Sequence, residues 1–291
     1  MWFGASWMVD SASRIAKKFG LSDLVIGLTV VAIATSAPEF AVTVSAALKN
    51  QPSISVGNVV GSNIFNLGII LGLISLFSKV DISPKMLYRD GGLLVTTTIL
   101  LLFFFYDLTL SSFEGIIMAL ILVSYVIFLI KNKQEIDEEI DEKKFTFWDV
   151  PKLFFGIAVI IISANYLVES SINIARFFGI SEWIIGVTIV GAGTSMPEFA
   201  TSVVAISKKK HAISAGNLIG SDLFNMLGVL GIAAFLHPLS IEPNEYISLI
   251  LMSASVLVLV LLMRRRWKIS KFEAVIIIAI ARFRWIYDFI Y

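Results

Sequence analysis

One segment of this chain is written twice. Slid by 159 residues, Gly20–Leu71 aligns without a gap on Gly179–Leu230, and 24 of the 52 aligned positions are identical. Apolar helices share composition, so some similarity arises by chance. Chance does not place TS-x-PEF and GN-x-x-GS-x-x-FN in register twice. The chain is therefore a duplication, and its fold must be one that a half and its copy build together.

Composition says where that fold lives. Hydrophobic residues make up 57% of the chain and charged residues 15%, against about 45–50% and about 25% in soluble domains. Stretches such as Gly91–Tyr106, Gly115–Ile130 and Ile247–Met263 are almost uninterrupted apolar tracts. A helix of about 20 apolar residues crosses a bilayer. No run of alternating ten-residue segments suggests a β-barrel. The expected fold is an all-α polytopic membrane protein of ten transmembrane helices. In the first repeat they span 1–17, 22–48, 55–78, 91–106 and 111–130; in the second, 150–177, 181–206, 214–235, 246–263 and 272–291. An odd number of crossings per half makes the halves insert in opposite senses, as an inverted repeat. The chain thus divides into a first five-helix repeat (1–130), an acidic linker (131–149) and a second, inverted repeat (150–291).

Basic residues fix the expected orientation. Placed in alternate loops, 18 Lys and Arg fall on one side and only Lys49 and Arg176 on the other. By the positive-inside rule the N-terminus is outside and the 131–149 loop cytoplasmic, in the cell membrane. The six acids of Lys131–Phe145 lack the spacing of a calcium-binding loop and read as a solvated tether. A net charge of +1 gives no reason to expect nucleic acid. The absence of cysteine excludes thiolate metal sites, and with His211 and His237 alone a histidine-built site is nearly excluded. No cleavable signal peptide is visible at the start. No nucleophile–base pair, nucleotide loop or zinc motif is present, so neither an enzyme nor a cofactor is expected. The expected partners are the bilayer and ions, with the monomer as the working unit. Arg282 and Arg284 read as the end of the last helix.

The chemistry sits in the duplicated motifs. Pro38 and Pro197 interrupt apolar helices at about mid-depth, and each lacks the N–H that the carbonyl four residues earlier would use. Beside them stand Thr35, Ser36 and Glu39, then Thr194, Ser195 and Glu198. A broken helix, hydroxyls and a carboxylate make an oxygen-only cation site. A charge at the bilayer centre costs at least about 2.5–3.5 kcal/mol on insertion scales, and this chain bears that cost at two repeat-equivalent positions. Inversion is expected to bring Glu39 and Glu198 together near the midplane, with coupled titration. In the second motif, Asn58, Ser62 and Asn66, and again Asn217, Ser221 and Asn225, recur at i, i+4, i+8. A polar face on an apolar helix suits a water-filled ion path. Asn63 and Asp222 lie one residue off that stripe, and Asp222 is the acid that breaks the repeat symmetry, a candidate lateral ligand or proton relay. The paired glycines Gly57/Gly61 and Gly216/Gly220 suit close helix packing. Hard oxygens in this number favour Ca2+ over Mg2+.

Two TS-x-PE motifs, each followed by GN-x-x-GS-x-x-x-N, resemble the cation/Ca2+ exchanger superfamily over essentially the whole chain. The resemblance implies secondary antiport of Ca2+ against H+ or Na+ by alternating access. It implies Ca2+ ligands at Glu39, Glu198, Thr35 and Thr194. Ser36, Ser195, Ser62, Ser221, Asn66 and Asn225 would then line neighbouring monovalent sites. Sodium-coupled relatives commonly carry an aspartate where this chain has Asn225. That neutral position tilts the expectation toward H+, with Na+ the alternative and a cation channel a distant one.

Overall fold

A computed structural model describes residues 1–78, 80–132, 145–179 and 191–290. Most of the acidic tether, 133–144, and the start of the seventh expected helix, 181–190, lie outside the described residues. The helices are α1 (Trp2–Phe19), α2 (Asp23–Thr35), α3 (Ala37–Leu48), α4 (Pro52–Phe77), α5 (Met86–Asp107) and α6 (Ser112–Lys131) in the first half. The second half contributes α7 (Asp149–Phe177), α8 (Gly191–Thr194), α9 (Met196–Ser207), α10 (His211–Leu236), α11 (Pro243–Arg266) and α12 (Lys271–Ile290). Helices α2 and α3 form one stretch bent by 50°. Counting that pair and α8–α9 once each gives the ten expected stretches. Six of the described helices are long and apolar enough to cross a membrane, or seven with the bent pair. Helix α1 is not among them, because it carries Asp10, Arg14, Lys17 and Lys18.

The duplication extends in the backbone well beyond the aligned 52 residues. Among the described residues every positive φ falls in a pair 159 apart: Gly20 (66°) with Gly179 (72°), Asn50 (57°) with Lys209 (60°), and Leu108 (64°) with Trp267 (56°). Leu, Lys and Trp gain nothing locally from that conformation; the repeated turn imposes it. Two tiny ladders obey the same rule. Strand β1 (Val80–Asp81) pairs with β4 (Lys268–Ile269), and β2 (Thr109–Leu110) with β3 (Leu239–Ser240), so each ladder is the other shifted by 159. Helix starts repeat too. Ser111 and Glu114 cap α6 reciprocally, Ser111 N–H and Oγ–H donating to Glu114 Oε2 at 2.8 and 2.7 Å. Ser270 and Glu273 do the same for α12 at 2.8 Å each.

The described residues form two compact units. One comprises Met1–Pro38 and Tyr125–Ser221, the other Glu39–Ser124 and Asp222–Tyr291. Each unit therefore draws on both sequence repeats. In the first unit, α1 and α7, which occupy equivalent repeat positions, run antiparallel. Gly4 meets Gly156, Val159 and Ile160, Met8 meets Gly156, and Arg14 pairs with Asp149 at 2.7 Å. Equivalent helices in opposite senses are what an inverted repeat requires. Two further ion pairs lie in this region, Asp10 with Lys208 at 2.6 Å and Asp23 with Lys210 at 3.3 Å. In the second unit α4 packs on α12, where Gly72 faces Ala274 and Ile278. The equivalent pair, Gly231 of α10 with Gly115 of α6, makes the same antiparallel contact.

Burial follows the solvent that each helix meets. Helix α10 is 83% buried along its most apolar stretch and α6 only 22%. Phe113, Leu120 and Val123 of α6 point outward. That surface suits hydrocarbon, where a helix satisfies its own backbone. Arg282 is exposed on α12, and the helix continues to Ile290, so Arg282 and Arg284 do not mark its end; the side chain of Arg284 lies outside the description. The glycine pairs behave differently in the two halves. A Cβ on Gly216 or Gly220 would strike the backbone of Leu24 and Leu28 at 2.8 and 2.7 Å, whereas one on Gly57 or Gly61 would meet nothing within 4 Å.

These contacts set a stability test. A Cβ on Gly156 would lie 2.7 Å from the Gly4 carbonyl oxygen. Gly156→Val is expected to cost about 1–3 kcal/mol from overpacking, read as a clear fall in detergent melting temperature. Gly57→Ala is expected to leave that temperature undiminished.

Candidate functional site

Both proline motifs fold as helix breaks one residue after the threonine. Ser36 leaves α2 with φ −82° and ψ 12°, and Ser195 precedes α9 with φ −87° and ψ 8°. The break sits two residues before each proline, where the missing N–H has loosened the turn. The polar side chains around it divide between the two units.

In the first unit Glu198 is fully buried. Its Oε1 accepts from Ser36 Oγ at 2.9 Å and from Ser221 Oγ at 3.3 Å, while Oε2 has no hydrogen-bond partner among the described residues. Thr35 Oγ contacts Asn217 Oδ1 at 3.1 Å, Ser221 Oγ at 3.3 Å and the Ala32 carbonyl at 3.2 Å. Asn217 donates its amide to the Glu198 carbonyl at 3.4 Å and to Ser202 Oγ at 3.1 Å. Thr35, Ser36, Glu198, Asn217 and Ser221 are thus one network. Ser195 is buried and Thr194 half-buried next to it in sequence. Asn217 donates on one side of its amide and accepts on the other, so it braces the broken helix and presents no open oxygen.

In the second unit Glu39 is fully buried, as is Ser62. Asn58 donates to the Glu39 carbonyl at 3.3 Å and to Thr43 Oγ1 at 3.0 Å. These are the Asn217 bonds shifted by 159 residues. The remaining stripe residues do something else. Asn66 donates to Asp222 Oδ1 at 3.0 Å, and Asn225 donates to Asn63 Oδ1 at 3.2 Å, again equivalent bonds. Asn66 Oδ1 and Asn225 Oδ1 are fully buried and accept nothing among the described residues. An unmet buried acceptor costs about 1–3 kcal/mol, which a bound cation would offset.

Sequence reasoning missed three participants. Thr43 and Ser202 follow the glutamates by four residues in both copies, a repeated hydroxyl one helical turn on that was a readable signal. Asn63 was set aside as off the stripe, yet it and Asp222 touch the stripe residues of the opposite repeat. Among the described residues no group of three or more Asp, Glu, His or Cys gathers to hold a metal. A cation here must rely on hydroxyls, amides and carbonyls beside single carboxylates, the ligand chemistry of hard ions.

The bracing bonds are testable. Asn217→Ala removes three hydrogen bonds from a fully buried residue, and Asn58→Ala removes two from a partly buried one. Each is expected to destabilise by about 1–3 kcal/mol, with Asn217→Ala the larger loss in detergent melting temperature.

Comparison with known proteins bears on the whole chain. The family model described as sodium/calcium exchanger protein matches residues 1–131 and 151–281. The sodium/calcium exchanger MaX1 of Methanosarcina acetivorans is 32% identical over 319 residues, 94% of this chain and 91% of that protein. The inner membrane protein YrbG of Escherichia coli is 32% identical over 256 residues, 84% of this chain and 79% of that one. Among solved structures, the sodium-calcium exchanger NCX_Mj matches with a TM-score of 0.85 at 26% identity, over 97% of this chain and 92% of that one. With two inverted repeats, matched helix breaks and this similarity in place, the chain belongs to the sodium/calcium exchanger protein family.

Proposed function

We propose that this protein is a secondary antiporter of the cell membrane that exchanges Ca2+ for Na+ by alternating access, working as a monomer. Glu39 and Glu198, with Thr35 and Thr194, carry Ca2+. Ser36, Ser195, Ser62 and Ser221 serve the coupling ion beside them, together with Asn66 and Asn225. The N-terminus is outside and the 131–149 loop cytoplasmic, as the loop charges favour.

One observation carries the coupling ion. Asn66 Oδ1 and Asn225 Oδ1 are buried, neutral and unengaged among the described residues. An amide oxygen is a good ligand for a hard metal cation and a poor base. Two of them in reserve suit Na+ and have no use in carrying a proton. The names of MaX1 and NCX_Mj agree with that choice. The second reading is H+, favoured by the neutral residue at 225, which leaves the stripe without a charge to hold several Na+. Ca2+ against two H+ would be electroneutral. Ca2+ against three Na+ would move one charge, worth about 2.3 kcal/mol per 100 mV. In either case an empty site with both glutamates ionised resists crossing between states, and that resistance enforces exchange.

The test is uptake of radioactive Ca2+ into proteoliposomes, under an outward Na+ gradient and separately under an outward H+ gradient. The expected result is uptake with Na+ that responds to membrane potential and is abolished in Glu39→Gln and Glu198→Gln. Uptake driven only by the pH gradient would make H+ the coupling ion. A steady Ca2+ leak without either gradient would make the protein a channel, and no Ca2+ movement at all would refute the assignment.

A further inference from the structure

Asn63 and Asp222 belong to no motif position that the resemblance assigns to an ion. They are equivalent residues of the two repeats, buried to 2% and 0% exposure. Both sit at the centre of the amide network in the second unit. We propose that they are positioning residues: they hold the NH2 groups of Asn225 and Asn66, and so leave both amide oxygens open for the coupling cation. The proposal rests on the Na+ reading above.

The direction of every bond in the network follows from chemistry. A carboxyl oxygen that carries no proton only accepts hydrogen bonds. Asn66 therefore has to turn its NH2 toward Asp222 Oδ1, 3.0 Å away, and its oxygen elsewhere. Asn63 donates its own NH2 to the main-chain carbonyl of Asp222 at 3.5 Å, which leaves its oxygen to accept from Asn225 at 3.2 Å. Asn225 is thereby turned the same way as Asn66. Both orientations trace back to residue 222, one through its side chain and one through its main chain. An unanchored amide can turn over and offer a donor face to a cation. An anchored one presents an oxygen without reorganising when the ion arrives, the general advantage of a preorganised site.

The repeats also supply the control. At position 63 an asparagine oxygen does for Asn225 what the Asp222 carboxylate does for Asn66. A neutral amide is thus a sufficient anchor in this fold, and Asp222→Asn should preserve the orientation of Asn66. Were Asp222 itself an ion ligand, removing its charge would be as harmful as removing the side chain.

The experiment compares wild type, Asn63→Ala, Asp222→Ala and Asp222→Asn in proteoliposomes. It reads the half-saturating Na+ for driving Ca2+ uptake and the half-saturating Ca2+, with detergent melting as a folding control. Asn63→Ala and Asp222→Ala are expected to raise the Na+ value about tenfold, the scale of one lost charge-assisted contact, and the Ca2+ value far less. Asp222→Asn is expected to stay within about threefold of wild type for Na+. Asp222→Asn as impaired as Asp222→Ala would overturn the proposal in favour of a charged ligand, and an equal shift in both values would overturn it in favour of a packing role. Unchanged Na+ values in folded alanine variants would overturn it as well. If alanine prevents folding, Asp222→Asn decides alone by the same criterion. Wild type without Na+-driven uptake would remove the Na+ reading and this role with it, an outcome separate from any behaviour of the variants.

Discussion

A helix in hydrocarbon satisfies its own backbone, and for that reason offers an ion nothing. An ion site within the membrane needs a place where this self-sufficiency fails without exposing the failure to lipid. The helix breaks beside Pro38 and Pro197 are two such places. The interruption falls at Ser36 and Ser195, both fully buried in protein. Asn58 and Asn217 each take the carbonyl of the motif glutamate and a hydroxyl one turn further on. An asparagine on the next helix thus ties down the first turn after each break, at the carbonyl of the motif glutamate. The bonds of those asparagines are structural ones.

The same economy separates the stripe residues. Along α10, Asn217 is fully engaged while Asn225, two turns on, keeps an open oxygen. The spacing i, i+4, i+8 places them on one face, and periodicity cannot tell a brace from a ligand. What distinguishes them is which partner the opposite element supplies. That information is tertiary and lies outside any window of sequence.

Much else was legible. The ten helices were readable because a membrane span must be apolar over a known length. The inverted arrangement followed from an odd number of crossings. The two glutamates stood out because each interrupts an apolar helix, and both are fully buried. The network of Asn63 and Asp222 was not readable, since both lie off the polar face and act on the other repeat. The glycine pairs carried a packing expectation that the second repeat meets at Gly216 and Gly220 and the first, at Gly57 and Gly61, does not. The compact units were hidden for a related reason: each gathers segments from both halves of the chain, and no boundary in composition marks Pro38 or Ser221.

The paired left-handed residues carry a historical consequence. Leu108 and Trp267 share a backbone conformation that suits neither, and Asn50 and Lys209 share another that suits only the asparagine. These turns have outlived the residues that would have chosen them. Lipid-facing helices tolerate almost any apolar side chain, so their two copies drifted apart in letters while keeping their shape. The two repeats still read alike from Gly20 to Leu71, across the interrupted helix and the asparagine-bearing helix that follows it. A doubling in a membrane protein therefore leaves its written trace in the motif helices, and its silent trace in the bends of the chain.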